Sequence, residues 1–123
     1  MLSNGADANQ EQAEFFYNVL KRGIRHLDMA EMYGNEKSVG LALERWFKEG
    51  NKREDLFITS KLGHTHRPGE VLKQLNKILG RLKIDYIDLF LWHAPFEVKN
   101  RKEKFIVMWR EFEFCKDAGN SYP

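Results

Sequence analysis

Four titratable side chains lie where short apolar segments of the sequence end. Asp28, Lys61 and His93 each close a series of alternate residues in such a segment, and Tyr33 follows Asp28 by five residues. Side chains alternate between the two faces of a strand, so each series lies on one face. Parallel strands would bring the three residues to one rim, where βα-barrel enzymes keep their active sites.

A carboxylate, a phenol, an ammonium and an imidazole at one rim could carry out proton transfer to a carbonyl oxygen. A free phenol has a pKa of about 10 and is a poor acid at neutral pH. A neighbouring ammonium stabilises the phenolate and so lowers that pKa, and a carboxylate keeps the ammonium charged and in place. A neutral imidazole can donate a hydrogen bond to the same oxygen and orient the carbonyl. These groups suit carbonyl reduction by hydride, which a nicotinamide cofactor would have to supply.

The hydrophobic pattern predicts the elements that position these side chains. Apolar residues recur with helical spacing in four segments, and three short apolar segments between them are typical of strands. Asn35 is a suitable N-cap, and Pro68 suits a helical first turn. The predicted strands are residues 24–28, 56–60 and 86–92, and the predicted helices are residues 10–22, a segment between Asn35 and Gly50, a segment from Pro68 to Leu82, and residues 101–118.

Alternating helices and strands indicate parallel strands joined by crossovers. Either an open doubly wound sheet or part of a (β/α) barrel fits this order. The sequence contains neither a G-x-G-x-x-G nor a G-x-x-x-x-G-K-[ST] motif, whereas an open nucleotide-binding sheet usually has a glycine-rich turn after its first strand. This absence favours an α/β fold that is part of a (β/α) barrel, with about three parallel strands, over an open sheet.

Composition excludes several classes of partner. The 123 residues include 20 basic and 18 acidic side chains, and this balance favours neither a nucleic-acid nor a membrane partner. Cys115 is the single cysteine and the N-terminus is polar, so we expect a cytoplasmic location. His64 and His66 could suggest a metal pair, but two ligands are too few for a structural zinc site, and we predict no metal.

Three segments, occurring in the family's order, resemble the aldo-keto reductase family. They are GIRHLDMAEMYGNEKSVG at residues 23–40, REDLFITSKL at residues 53–62 and DYIDLFLWHAP at residues 85–95. The resemblance implies that Tyr33 is the proton donor, that Asp28 and Lys61 tune it, and that His93 orients the substrate. It implies a partial (β/α)8 TIM barrel as the fold. It also implies NADPH as cofactor and a small-molecule aldehyde or ketone as substrate.

The sequence also departs from the family pattern. Eight-stranded barrels need about 250 residues, and only three strands are recognisable here. We expect residues 1–9 to be a disordered or non-native tail, residues 10–119 an incomplete barrel, and residues 120–123 a truncated tail. The later segments that hold the cofactor are not recognised, so no cofactor-binding residue can be assigned, and we expect this chain to be inactive alone.

An alternative is a non-enzymatic remnant or interaction module. Three parallel strands leave two unpaired edges, and such edges can pair with another chain. This alternative predicts self-association through the strand edges.

Overall fold

The computed structural model describes residues 7–63, 67–93 and 101–119. Within them, helices and parallel strands alternate as the hydrophobic pattern predicts. The elements are α1 (Gln10–Lys21), β1 (His26–Asp28), α2 (Glu36–Lys48), β2 (Phe57–Leu62), α3 (Val71–Leu82), β3 (Leu89–Trp92) and α4 (Arg101–Asp117), with short 3-10 turns at Glu31–Tyr33 and Arg53–Asp55.

The three strands form one parallel sheet in the order β1-β2-β3. Asp28 is opposite Thr59, which is in turn opposite Leu89. Lys61 is two residues after Thr59 on β2. It therefore lies on the same face of the sheet as Asp28, two residues further towards the C-terminal edge. The first and third strands are shorter than predicted, and β2 extends two residues further, so that it includes Lys61.

The helices cover one face of this sheet and leave the other face open among the described residues. Leu27, Ile58 and Phe90 are buried on the covered face. On the other face, Phe57 and Leu91 are 45% and 39% exposed. The nearly continuous apolar sequence of residues 86–92 predicts a strand that is buried on both faces. This prediction is wrong for the described part of the chain, because no described element packs over the second face.

One predicted helix start differs from the structure. Pro68 lies in a turn and α3 begins only at Val71. The carboxylate of Glu111, on α4, accepts hydrogen bonds from the Gly69 and Val71 backbone N–H groups at 2.8 and 3.3 Å. A contact from a distant helix thus satisfies the first N–H groups of α3, which the local sequence does not reveal.

Asparagine caps one helix but not the other. Asn35 directly precedes α2, as predicted, but its side chain makes no capping hydrogen bond. Asn9 lies within the predicted N-terminal tail, and its side chain accepts a bond from the Gln12 N–H at the start of α1. Its own N–H donates to the Ser38 hydroxyl at 2.9 Å. Residues 1–6 and 120–123 of the predicted tails lie outside the described residues.

The last helix, α4, packs through one narrow stripe. Met108, Phe112 and Cys115 are buried at spacings of four and three residues, as expected for one helical face. Other large apolar side chains of α4, such as Trp109, are about half exposed. None of the helices in the described ranges is both long and apolar enough to cross a bilayer.

The thiol of Cys115 should report on the packing of α4. Burial, followed by the nearby Glu111 carboxylate, raises the pKa of Cys115 from 9.0 to about 11. At pH 8 the reactive thiolate is then about a hundredfold rarer than for an ordinary thiol. We expect an aromatic disulfide reagent to label the folded chain at least about a hundredfold more slowly than the urea-unfolded chain. Equal labelling rates would show that α4 does not pack with Cys115 in the core.

Candidate active site

An ion pair joins the ends of the first two strands. The Lys61 ammonium donates to Asp28 Oδ1 at 2.5 Å and to the Met29 carbonyl oxygen at 3.1 Å. The Asp28 side chain is mostly exposed, whereas that of Lys61 is mostly buried. Two acceptors therefore hold the ammonium at the rim and orient it.

Tyr33 lies over this ion pair. It ends the 3-10 turn after β1, and Gly34 closes the turn with a left-handed φ of 69° that favours glycine. The Lys61 ammonium nitrogen is 5.4 Å from the centroid of the Tyr33 ring. The ring remains 52% exposed, so a small molecule can reach it.

His93 completes the group from the end of the third strand. Its backbone N–H donates to the Leu62 carbonyl oxygen at 3.0 Å, which fixes it beside the end of β2. Its ring is 6.4 Å from the Tyr33 ring between centroids, at an interplanar angle of 81°. His93 Nδ1 is buried and has no hydrogen-bond partner among the residues that the structure describes. The structure thus brings together all four side chains that the sequence places at one rim.

His26 also lies on the open face, two residues before Asp28. Its Nε2 is 3.2 Å from the Thr59 hydroxyl, and its ring packs edge-on against Phe57. The position of His26 within a predicted strand predicts a buried side chain that is bonded to a neighbour. The bond is confirmed, but the burial is wrong, because no described element covers this face.

A buried cluster of charged side chains, which the sequence pattern does not reveal, includes the first residue of the turn that carries Tyr33. Glu31 and Glu36 are both 2% exposed, and both approach the Arg81 guanidinium of α3. Burial raises the pKa of Glu36, although the Arg81 charge and hydrogen bond oppose this. An acidic residue two positions before Tyr33 is visible in the sequence, but its burial depends on how α3 packs.

The described residues contain no cluster of three or more histidine, cysteine or acidic side chains able to hold a metal ion. His64 and His66 lie outside the described residues. That these two histidines bind no metal therefore stays a prediction from the sequence.

A family model for the aldo/keto reductase family matches residues 2–120. The chain belongs to the aldo/keto reductase family. The match extends over most of the residues that the sequence analysis assigned to an N-terminal tail. It confirms the resemblance that the three sequence segments indicate.

Curated relatives and a solved structure agree with this membership. The chain is 52% identical over 117 residues to the NAD(P)H-dependent D-xylose reductase I,II of Candida tropicalis, covering 91% of this chain and 35% of that protein. It is 40% identical over 117 residues to the human aldo-keto reductase family 1 member C3, covering 81% of this chain and 36% of that protein. The crystal structure of an aldo/keto reductase from Brucella melitensis superposes with a TM-score of 0.79 at 36% identity, covering 93% of this chain and 42% of that one.

These comparisons confirm the fold class as part of a (β/α)8 TIM barrel. The chain spans about a third of the length of the curated relatives it matches. The described sheet accordingly holds three parallel strands, whereas a complete barrel of this class has eight.

The rim suits the reacting end of a carbonyl reduction better than it suits a dinucleotide. Lys61 is the one permanent cation among the four rim side chains, and Asp28 and the Met29 carbonyl already engage its ammonium. These four residues therefore offer no free positive charge for the phosphates of NADPH. Their functional groups can surround a carbonyl oxygen.

Proposed function

We propose that this chain supplies the proton-transfer residues of an NADPH-dependent reductase that converts aldehydes or ketones to alcohols. Tyr33 is the general acid in this proposal. The observation that carries it is the position of the Lys61 ammonium, which bonds to Asp28 and lies 5.4 Å from the Tyr33 ring centroid. A nicotinamide cofactor would supply the hydride.

Each rim residue has a separate task in this proposal. The substrate oxygen gains negative charge during reduction, and Tyr33 donates its phenolic proton to that oxygen. The positive charge of Lys61 stabilises the phenolate that remains, and Asp28 keeps the ammonium in position. His93 donates a hydrogen bond to the substrate oxygen and orients the carbonyl group towards Tyr33.

A chimera provides the test, because the chain spans only about a third of its relatives. The matched residues of the Candida tropicalis D-xylose reductase are replaced by this chain, and NADPH oxidation is followed with D-xylose and simple aldehydes. We expect an active chimera, in which Lys61→Met lowers kcat by about 10²- to 10⁴-fold, as loss of proton-transfer catalysis does.

The exposed lysine Lys77 on α3 provides the matched control. Lys77→Met removes the same charge far from the rim and should leave kcat unchanged. An active chimera in which Lys61→Met and Lys77→Met behave alike would contradict the proposal, as would an inactive but folded chimera.

A second candidate is an interaction module, and the open sheet face favours it. Ile24, Phe57 and Leu91 are each at least 39% exposed, and β1 and β3 have no further neighbouring strand among the described residues. Such a face and such edges favour pairing with a second chain. Sedimentation of the isolated chain distinguishes the two: concentration-dependent association supports the module, and a monomer that melts cooperatively contradicts it.

Titration of the isolated chain with NADPH, followed by nucleotide fluorescence, tests the assignment of the cofactor site. We propose that the isolated chain does not bind NADPH tightly and is inactive, because its four rim residues offer no free cation for the cofactor phosphates. Saturable micromolar binding would contradict this. A cytoplasmic location also remains a proposal, supported by the single cysteine.

A further inference from the structure

The turn that carries Tyr33 is held only weakly by its own residues. Its backbone bonds are local: the Tyr33 N–H donates to the Ala30 carbonyl at 3.1 Å, and the Gly34 N–H donates to the Glu31 carbonyl at 3.4 Å. The Tyr33 side chain is 52% exposed. Met29, just before the turn, is joined to β2 by its N–H bond to the Thr59 carbonyl and by the Lys61 ammonium. A contact from the turn itself to the end of β2 would fix the position of Tyr33 further.

The Glu31 side chain makes that contact. Glu31 is the first residue of the turn and is 2% exposed. Its Oε1 accepts a buried hydrogen bond from the Gly63 backbone N–H at 2.9 Å. Gly63 is two residues beyond Lys61, so one carboxylate joins the Tyr33 turn to the segment that follows Lys61.

Arg81 provides a positive charge beside the buried Glu31 carboxylate. One guanidinium nitrogen is 3.7 Å from Glu31 Oε2, and Nε is 2.6 Å from Glu36 Oε1. Burying a carboxylate is costly unless it is paired and hydrogen-bonded, and here both conditions are met. Arg81 therefore holds Glu31 in place from α3.

We propose that Glu31 is a positioning residue: through its bond to the Gly63 N–H, and supported by Arg81, it sets the separation of the Tyr33 ring from Lys61. The consequence for catalysis rests on the proposed function. The geometric effect does not, because it concerns the distance between two side chains of this chain.

Glu36 provides a matched comparison. It is as buried as Glu31 and contacts the same guanidinium. It belongs to α2, however, and within the described ranges its side chain hydrogen-bonds only to Arg81. Substituting Glu36 therefore disturbs the same ion cluster without removing the link between the Tyr33 turn and Gly63.

The experiment is nuclear magnetic resonance on the 123-residue chain with four variants: Glu31→Asp, Glu31→Leu, Glu36→Asp and Glu36→Leu. Aspartate keeps the charge but is one methylene shorter, so at position 31 it cannot reach the Gly63 N–H. In both Glu31 variants we expect exchange of the Gly63 amide to accelerate by roughly ten- to a hundredfold, as for loss of a hydrogen bond to a charged group. Overhauser contacts between the Tyr33 ring and the Lys61 side chain should disappear as well, while both Glu36 variants keep these signals.

Three results would overturn the inference. The Tyr33–Lys61 contacts could persist in Glu31→Asp, or they could disappear equally in Glu36→Asp. Global unfolding of Glu31→Asp beside a folded Glu36→Asp would give Glu31 a purely structural role. If Glu31→Leu does not fold, the aspartate pair decides alone. An inactive chimera would contradict the proposed function and leave this result unaffected.

Discussion

Substitution of Tyr33 by phenylalanine is expected to lower kcat for carbonyl reduction by about 10²- to 10⁴-fold in the active chimera, with a much smaller change in KM. Phenylalanine keeps the ring that lies over Lys61 and beside His93. It removes the one proton that this site is proposed to donate. Because the loss falls on a step in which the substrate oxygen gains charge, it should appear in kcat.

Tyr17→Phe is the control for this substitution. The Tyr17 hydroxyl, on α1, donates to Glu49 at 2.5 Å, and that bond raises the pKa of Tyr17. Its removal should reduce stability and leave the rate unchanged, since α1 lies outside the rim. If Tyr33→Phe kept kcat within about threefold of the parent, below the range of general acid catalysis, another group would be the proton donor.

A second large effect is expected where α2 and α3 touch. Gly40 of α2 lies against the backbone of α3, and a Cβ atom at this position would be 2.1 Å from the Arg81 carbonyl oxygen. Backbone cannot move aside as a flexible side chain can, so Gly40→Ala must separate the two helices. We expect it to lower the free energy of unfolding by about 1–3 kcal/mol, the usual cost of overpacking, although alanine favours helix by about 1 kcal/mol.

Gly80→Ala, in α3, is expected to have the opposite effect on the free energy of unfolding. Gly80 lies inside α3, and a Cβ atom there would meet nothing within 4 Å. The helix preference of alanine should then raise stability by about 0.5–1 kcal/mol. Urea unfolding followed by circular dichroism measures both variants. Stabilisation by Gly40→Ala would mean that the helices do not pack as closely as described.

The sequence could predict which four residues lie at the rim, because strand alternation and parallel pairing follow from local patterns. Alternation along a strand fixes which residues share a face, and parallel pairing brings strand ends to one edge. Asp28, Lys61 and His93 needed only these two rules. Tyr33 needed the length of the loop after β1, which is short enough to keep it above the same edge.

Other features depended on contacts between residues distant in the chain. The start of α3 is set by Glu111, about forty residues further along the chain. Proline at position 68 is compatible with either a turn or a helical first turn, so the local sequence could not decide. Exposure of the open sheet face likewise depends on which elements pack over it.

The sequence by itself determined the order of helices and parallel strands, the family, and the four side chains at the rim, because periodicity and strand alternation are local properties. Only the tertiary structure decided that Glu31 is buried, that it reaches Gly63, and that Arg81 compensates its charge. These three residues come from separate elements, and Arg81 lies where α3 closely approaches Gly40 of α2. Such an approach leaves no periodic signal in the sequence.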